Sequence, residues 1–268
     1  MKKILFLGLV FAFIFSGCSN IAKEKLKVGM ECDYAPFNWT QTENKNGSVA
    51  ISNDSTGYAG GYDVKMAKKI AESLKMELEI VKIEWDGLIP ALTSGRIDII
   101  IAGMSPTDER KEAIDFSDYY YESDLVVVVK SDGVYISAES IADFSGAKIT
   151  GQLNTTHYEV IDQMPGVNKQ TALPDFPSMI NSLKSGFIDG YIAERPHALQ
   201  VKRAHSDLSF VGFSAENGFT YDVNESNISI GMVKGNALKD KINEALAKIS
   251  QIERSKLMEE AIAESAEE

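Results

Sequence analysis

Apolar and polar positions change period repeatedly along the chain, and the changes outline strands alternating with helices. Residues 26–30 alternate as a short strand, and Asp63 stands as a helix cap before 64–74, where Val64, Ala67, Ile70, Ala71 and Leu74 recur at helical spacing. Residues 77–83 alternate again, 88–94 suit a short helix, 97–102 are almost continuously apolar, and 107–114 suit another short helix. The pattern then restarts. Residues 125–129 are an apolar strand, 148–150 begin a second one, 158–164 and 176–185 are helical, and 187–193 are strand-like. Residues 227–233 read as a further strand, and 237–263 as one long amphipathic helical region with Leu238, Ile242, Leu246 and Ile249 at helical spacing. Such alternation implies an α/β fold with parallel, doubly wound sheets. Residues 40–61, rich in Asn, Ser and Gly, read as a surface hairpin or loop outside the core. No linker separates the halves, so two lobes are expected, 26–121 with 220–268 and 125–213. The chain would cross between them at 122–124 and 214–219, leaving a ligand cleft between the lobes.

The start of the chain has its own signature. Residues 1–17 read as an export signal, with Lys2-Lys3 before an apolar run at 4–15 and small residues at its end. A helix of that run rises about 18 Å, short of a bilayer core of ~30 Å, so removal is expected in place of membrane spanning. The ending Phe15-Ser16-Gly17-Cys18-Ser19-Asn20 resembles a bacterial lipobox. That resemblance implies a lipid on Cys18 and a tether at 18–25 holding a soluble body to a membrane surface, in the periplasm or at the cell surface. Cys32 is then left without a partner and is expected to be a small buried apolar residue. His157, His197 and His205 are scattered without ligand spacing, so no metal site is expected.

Composition adds exclusions. The 268 residues are 44% hydrophobic and 25% charged, and 27 basic against 39 acidic residues give a net charge of −12. A chain this acidic disfavours nucleic acid as a partner. It also has no Gly-rich phosphate loop ending in Lys-Ser/Thr, so ATP is not an expected ligand.

A series of motifs runs through nearly the whole chain after the tether. These are Gly61-Tyr62-Asp63-Val64, Glu84-Trp85-Asp86-Gly87-Leu88, Gly95-Arg96-Ile97-Asp98, Gly103-Met104-Ser105-Pro106-Thr107-Asp108-Glu109-Arg110, Asp115 to Tyr120, Gly151 to Thr156 and Gly186 to Glu194. In this order the sequence resembles the polar amino-acid-binding proteins of bacterial ABC importers, extracellular solute-binding family 3. The resemblance implies a type II periplasmic-binding-protein fold, in which two α/β lobes on two hinge crossings close on an amino acid. No cofactor is implied, and a monomer is the plain expectation.

The resemblance also assigns residues. Arg110 would grip the ligand's α-carboxylate through paired hydrogen bonds, beside the backbone of Gly103 and the Ser105 hydroxyl. Thr155 and Thr156 would approach from the other lobe, at a helix start. Ser105, Thr107, Thr155 and Thr156 are equally at home as plain helix caps. Glu194 stands where an acid accepts the α-ammonium, with a surface pair to Arg195 as the alternative. Tyr34 and Trp85 match the aromatic positions that sandwich the ligand side chain, unless they are lids on a core, and Phe37 belongs to the core. Glu31 is placed to receive a side-chain cation, with Asp33 as a second acid nearby; otherwise both point to solvent. Gln152 also matches relatives that take basic amino acids, although Asn154 replaces the usual Gly, a mild departure because Asn tolerates left-handed backbone. Asp98 and Asp189 are expected to be structural.

The function so implied is an extracytoplasmic receptor for a polar, foremost basic, L-amino acid such as arginine or lysine, docking on a membrane permease. Two alternatives use the same fold: a receptor for glutamine or another polar amino acid, and an enzyme resembling cyclohexadienyl dehydratase. The enzyme would need a cleft acid, Glu194 or Glu31, with a raised pKa. A sensory domain finds no support in the acidic C-terminal helix.

Overall fold

A computed structural model describes residues 23–222 and 227–267 of the chain. The expected export segment and Cys18 lie outside the described residues. In the first half β1 (Lys25–Met30) leads into β2 (Asp33–Tyr34), β3 (Asn38–Gln41), β4 (Val49–Ala50) and β5 (Tyr58–Gly60). Then come α1 (Tyr62–Leu74), β6 (Glu77–Lys82), α2 (Leu88–Thr93), β7 (Ile99–Ile100), α3 (Asp108–Ala113) and β8 (Asp115–Tyr121). The second half holds β9 (Leu125–Lys130), β10 (Lys148–Thr150), α4 (Thr156–Glu159), β11 (Asn168–Lys169), α5 (Phe176–Lys184), β12 (Gly190–Glu194), α6 (Arg195–Ala204) and β13 (Leu208–Val211). Finally β14 (Ile228–Met232), α7 (Lys239–Ala247) and α8 (Gln251–Ser265) return to the first half.

Two five-stranded sheets result, ordered β6-β1-β7-β14-β8 and β11-β10-β12-β9-β13, beside a small sheet β2-β3-β5-β4. Neither large sheet is wholly parallel, contrary to the expectation from strand and helix alternation. β1 pairs in parallel with β6 and β7, and β10 with β11 and β12, but β14 is antiparallel to β7 and β9 to β12. β9 and β14 are the strands that arrive from the opposite lobe, so they lack the covering helix that a parallel crossover needs. Phe213, Phe219 and Tyr221 pack against the core of the second sheet, so the chain stays with that lobe through Tyr221.

Three local expectations change as well. Asp63 is not a cap but lies inside α1, fully buried, accepting from Asn38 Nδ2 and the Tyr120 hydroxyl, each at 2.7 Å. Gly61 precedes α1 at φ 122, where a Cβ would collide with the Phe37 carbonyl, so the chain can turn tightly there only with glycine. The polar 40–61 segment contributes Ile51 and Ala59 to the core, and Ile51 bridges to Ile80. The long region 237–263 breaks into α7 and α8 because Ser250 leaves helical geometry and caps α8, accepting from the Glu253 N–H at 3.2 Å.

The repeated Gly-x-Ile-Asp pattern has the same job in each lobe. Asp98 accepts from the Lys27 N–H at 2.7 Å and its own N–H donates to the Lys27 carbonyl at 2.9 Å. Asp189 does the same with Lys148, both bonds at 2.8 Å. Each carboxylate therefore fixes the register of a strand that leads to the site. Asp98→Ala and Asp189→Ala are each expected to lower stability by about 1–3 kcal/mol in chemical denaturation, the usual range for losing a hydrogen bond to a charged group.

Candidate functional site

The site residues come from both lobes. On the first, Glu31 and Tyr34 flank Cys32, whose left-handed φ of 59 and N–H bond to Asn38 Oδ1 at 2.7 Å turn the chain just after β1. Cys32 itself is buried, as expected. Trp85 opens a short turn before α2, Gly103 and Ser105 lie in the loop after β7, and Arg110 lies on α3. On the second lobe, Gln152, Thr155 and Thr156 follow β10, and Glu194 ends β12. The lobes are closed on each other. Tyr34, Trp85, Gly103, Ser105, Arg110, Gln152, Thr155, Thr156 and Glu194 line one narrow cleft cavity of about 10 Å³, and Glu31 joins them through Gln152.

Each polar group in the cavity has a definite environment. Gln152 Nε2 donates to Glu31 Oε1 at 2.8 Å and to the Pro174 carbonyl at 3.0 Å, which leaves Glu31 Oε2 buried without a hydrogen-bond partner among the described residues. Burial pushes the Glu31 carboxyl up to about 8, with the Gln152 bond opposing the shift. Asp33 does not join Glu31: it pairs with Lys82 at 3.0 Å. Glu194 is 3% exposed and burial pushes its carboxyl up to about 8. It does not pair with Arg195, which instead clasps Asp124 at 2.5 Å beside the first crossing. The Tyr34 hydroxyl donates to Glu194 Oε2.

Arg110 donates to the Ser105 carbonyl at 2.8 Å and to the Asn154 carbonyl at 2.9 Å, and its guanidinium lies 5.1 Å from the Trp85 ring centroid. Among the described residues it has no ion-pair partner, and burial lowers its pKa to about 10. Asn154 is left-handed at φ 56, the geometry a glycine would supply. Its side chain adds what glycine cannot, a hydrogen bond from Nδ2 to Asp86 Oδ1 at 2.9 Å across the cleft. Of the four candidate caps, Thr107 is one, accepting from the Arg110 N–H at 3.3 Å. The Thr155 hydroxyl donates to the Gln152 carbonyl at 2.6 Å instead. Gly103 is left-handed at φ 62, its N–H donates to the Tyr120 hydroxyl at 3.2 Å, and a Cβ there would come 3.0 Å from the Tyr34 ring.

Tyr34 and Trp85 both line the cavity, and Tyr34 also packs on rings of its own. Tyr34 is buried and stacks on Phe176 at 4.0 Å and on Phe37 at 4.9 Å. With the lobes shut, the apolar rings cover one another. In the sequence Phe176 is legible only as part of a helix, because nothing in its local pattern shows which ring it meets across the cleft. His157 also lines the cavity, although its lack of metal-ligand spacing gives it no signal in the sequence; its Nε2 lies 2.8 Å from Glu194 Oε2.

Residues 26–262 match the model of the bacterial extracellular solute-binding proteins, family 3. The chain belongs to this family. It is 30% identical to the arginine-binding extracellular protein ArtP of Bacillus subtilis strain 168, with 92% of each chain covered. It is 29% identical to the L-cystine-binding protein TcyJ of Escherichia coli K12, over 90% of this chain and 84% of the other. Among solved structures, an amino acid ABC transporter substrate-binding protein from Streptococcus pneumoniae bound to L-arginine superposes with a TM-score of 0.77. The two are 27% identical, covering 89% of this chain and 94% of that one. No helix among the described residues is long and apolar enough to cross a membrane.

Closure of this solute-binding protein is expected to depend on pH. Burial pushes Glu31 and Glu194 up to about 8 with the lobes shut, and separating the lobes is expected to return them to water and to ordinary carboxyl values. A raised carboxyl pKa favours closure at low pH and loses that contribution as pH rises to about 8. His157 and His197, lowered by burial to about 3 and about 4, act oppositely, but only below an ordinary histidine value of about 6.5. Between about pH 8 and 6.5 the carboxyls alone count. Small-angle scattering of the ligand-free protein is therefore expected to show compaction on acidification across that window, by up to about tenfold in the closed-to-open ratio per carboxyl per pH unit. Glu31→Gln should halve the slope.

Proposed function

We propose that this solute-binding protein is the extracytoplasmic receptor of an amino-acid ABC importer and takes a basic L-amino acid, arginine foremost. The observation that carries this reading is Glu31, a buried carboxyl with one oxygen unpartnered, set in the same cleft as an Arg110 that has no ion-pair partner among the described residues. A buried acid left empty is costly, and a guanidinium or ammonium removes that cost. The α-carboxylate goes to Arg110, whose fork matches it. The α-ammonium goes to Oε1 of Glu194, beside the oxygen that the Tyr34 hydroxyl holds, and the side chain passes Tyr34 and Trp85 towards Glu31. Gly103, Ser105, Gln152, Thr155 and Thr156 complete the wall, with Ser105 and Thr156 beside the α-carboxylate. Differential affinity for the closed form shifts the lobes shut, and the closed form docks on the membrane permease. Cys18 supplies the lipid tether, and the protein acts as a monomer.

A thermal-shift screen of protein stripped of ligand by unfolding and refolding tests this reading. Arginine, lysine or ornithine at about 100 times the dissociation constant should add about 2.7 kcal/mol to stability. A rise with glutamine or cystine alone overturns the basic specificity, and no rise with any amino acid overturns the receptor itself. One feature favours a second reading: burial pushes the Glu194 carboxyl up to about 8, the direction a general acid of a dehydratase needs. That shift comes from burial without a counter-charge, a state that a bound ammonium ends. Dehydration of a cyclic hydroxy-acid, lost in Glu194→Gln, would establish the enzyme.

A further inference from the structure

His157 is the second residue of α4, 5% exposed, on the wall of the ligand cavity. Its Nε2 lies 2.8 Å from Glu194 Oε2 without the alignment of a hydrogen bond, and its Nδ1 has no hydrogen-bond partner among the described residues. Two acceptors at 2.8 Å repel unless a proton lies between them, so one of the pair must carry it. The Tyr34 hydroxyl donates to the same carboxyl oxygen.

We infer that His157 is a positioning residue of the ligand site, whose Nε2–H holds Oε2 of Glu194 and so presents Oε1 of the ionised carboxylate to the ligand's ammonium. This rests on the reading of Glu194 as the ammonium acceptor. When the ammonium arrives, Glu194 gives its proton to solvent, and the neutral imidazole and the Tyr34 hydroxyl supply the two bonds that keep the carboxylate ionised in a dry cavity. The groups acting on His157 are Glu194 from β12, Arg110 from α3, His197 from α6 and the edge of the Phe176 ring from α5, with Tyr34 from β2 on the same cavity wall. Burial, His197 and Arg110 all disfavour the imidazolium, so His157 is neutral in the closed form. In the open form water restores its ordinary titration, and protonation then opposes closure.

The experiment is calorimetric titration of L-arginine into wild type, His157→Ala, His157→Gln and Glu194→Gln at about pH 7.5 and about pH 5.5, on either side of the ordinary histidine value. His157→Ala should weaken binding about tenfold at the higher pH, the loss of one hydrogen bond to a charged group. His157→Gln, which keeps an N–H donor but cannot titrate, should recover to within about threefold of wild type. Its loss of affinity on acidification should be about tenfold smaller than that of wild type, because one histidine with an ordinary value near 6.5 no longer titrates. The pH comparison in His157→Gln decides the matter even if the alanine variant folds poorly. The inference is overturned if alanine binds within about twofold of wild type, if glutamine is as weak as alanine, or if wild type and glutamine lose affinity equally with acid. Arginine binding by Glu194→Gln at wild-type strength would instead remove the reading of Glu194, and this inference with it.

Discussion

Replacing Arg110 with alanine is expected to raise the dissociation constant for L-arginine by about 10²–10³-fold, because a desolvated charge pair loses one partner and the ligand's carboxylate is left buried. Lysine at the same position keeps the charge but not the planar fork, so Arg110→Lys should recover only part of the loss. Stability of the empty protein should change little, since Arg110 bonds only to the Ser105 and Asn154 carbonyls and to no carboxylate among the described residues. That contrast separates a ligand clamp from a structural arginine. Titration calorimetry beside thermal melts makes the comparison, and arginine binding within about fivefold of wild type in Arg110→Ala would place the ligand carboxylate elsewhere.

The second large effect is on specificity. Glu31→Gln removes the only charge proposed to meet the side-chain cation while keeping size and the contact to Gln152. Arginine affinity should fall about 10²-fold, the expected cost of leaving a ligand cation unpaired in a buried site. Glutamine affinity should fall far less, so the ratio between the two ligands collapses towards one. Asp33 cannot substitute, because Lys82 already holds it at 3.0 Å. Competition of unlabelled glutamine against labelled arginine measures the ratio, and an unchanged preference for arginine would put the cation outside the reach of Glu31.

Much of this site is legible in the amino-acid sequence because its residues sit at element ends, where turn chemistry and motif order leave a trace. Glu31 and Tyr34 follow the first strand, Arg110 follows the Thr107 cap, and Glu194 ends a strand behind the Gly-x-Ile-Asp pattern that Asp189 anchors. Partners across the cleft are not legible. Phe176 covers Tyr34 and His157 meets Glu194 through closure of two lobes far apart in sequence, which no local period records. Strand direction escapes for a related reason: β9 and β14 look like any apolar strand, and only the crossings make them antiparallel. β8 leaves little trace because Asp115–Tyr121 is built from aspartates and tyrosines with almost no aliphatic alternation. The break between α7 and α8 does carry a signal, Ser250 followed three residues later by Glu253, that apolar spacing alone conceals.

The most direct test of the central claim, that a buried carboxyl selects a ligand by its side-chain charge, is a comparison of L-arginine with L-citrulline by titration calorimetry near neutral pH. The two share a backbone, length and planar end group and differ in charge. Arginine should bind about 10²-fold more tightly, and most of that difference should vanish in Glu31→Gln. Equal affinity for the two in the wild type would contradict the account, leaving an amino-acid receptor whose specificity does not depend on Glu31.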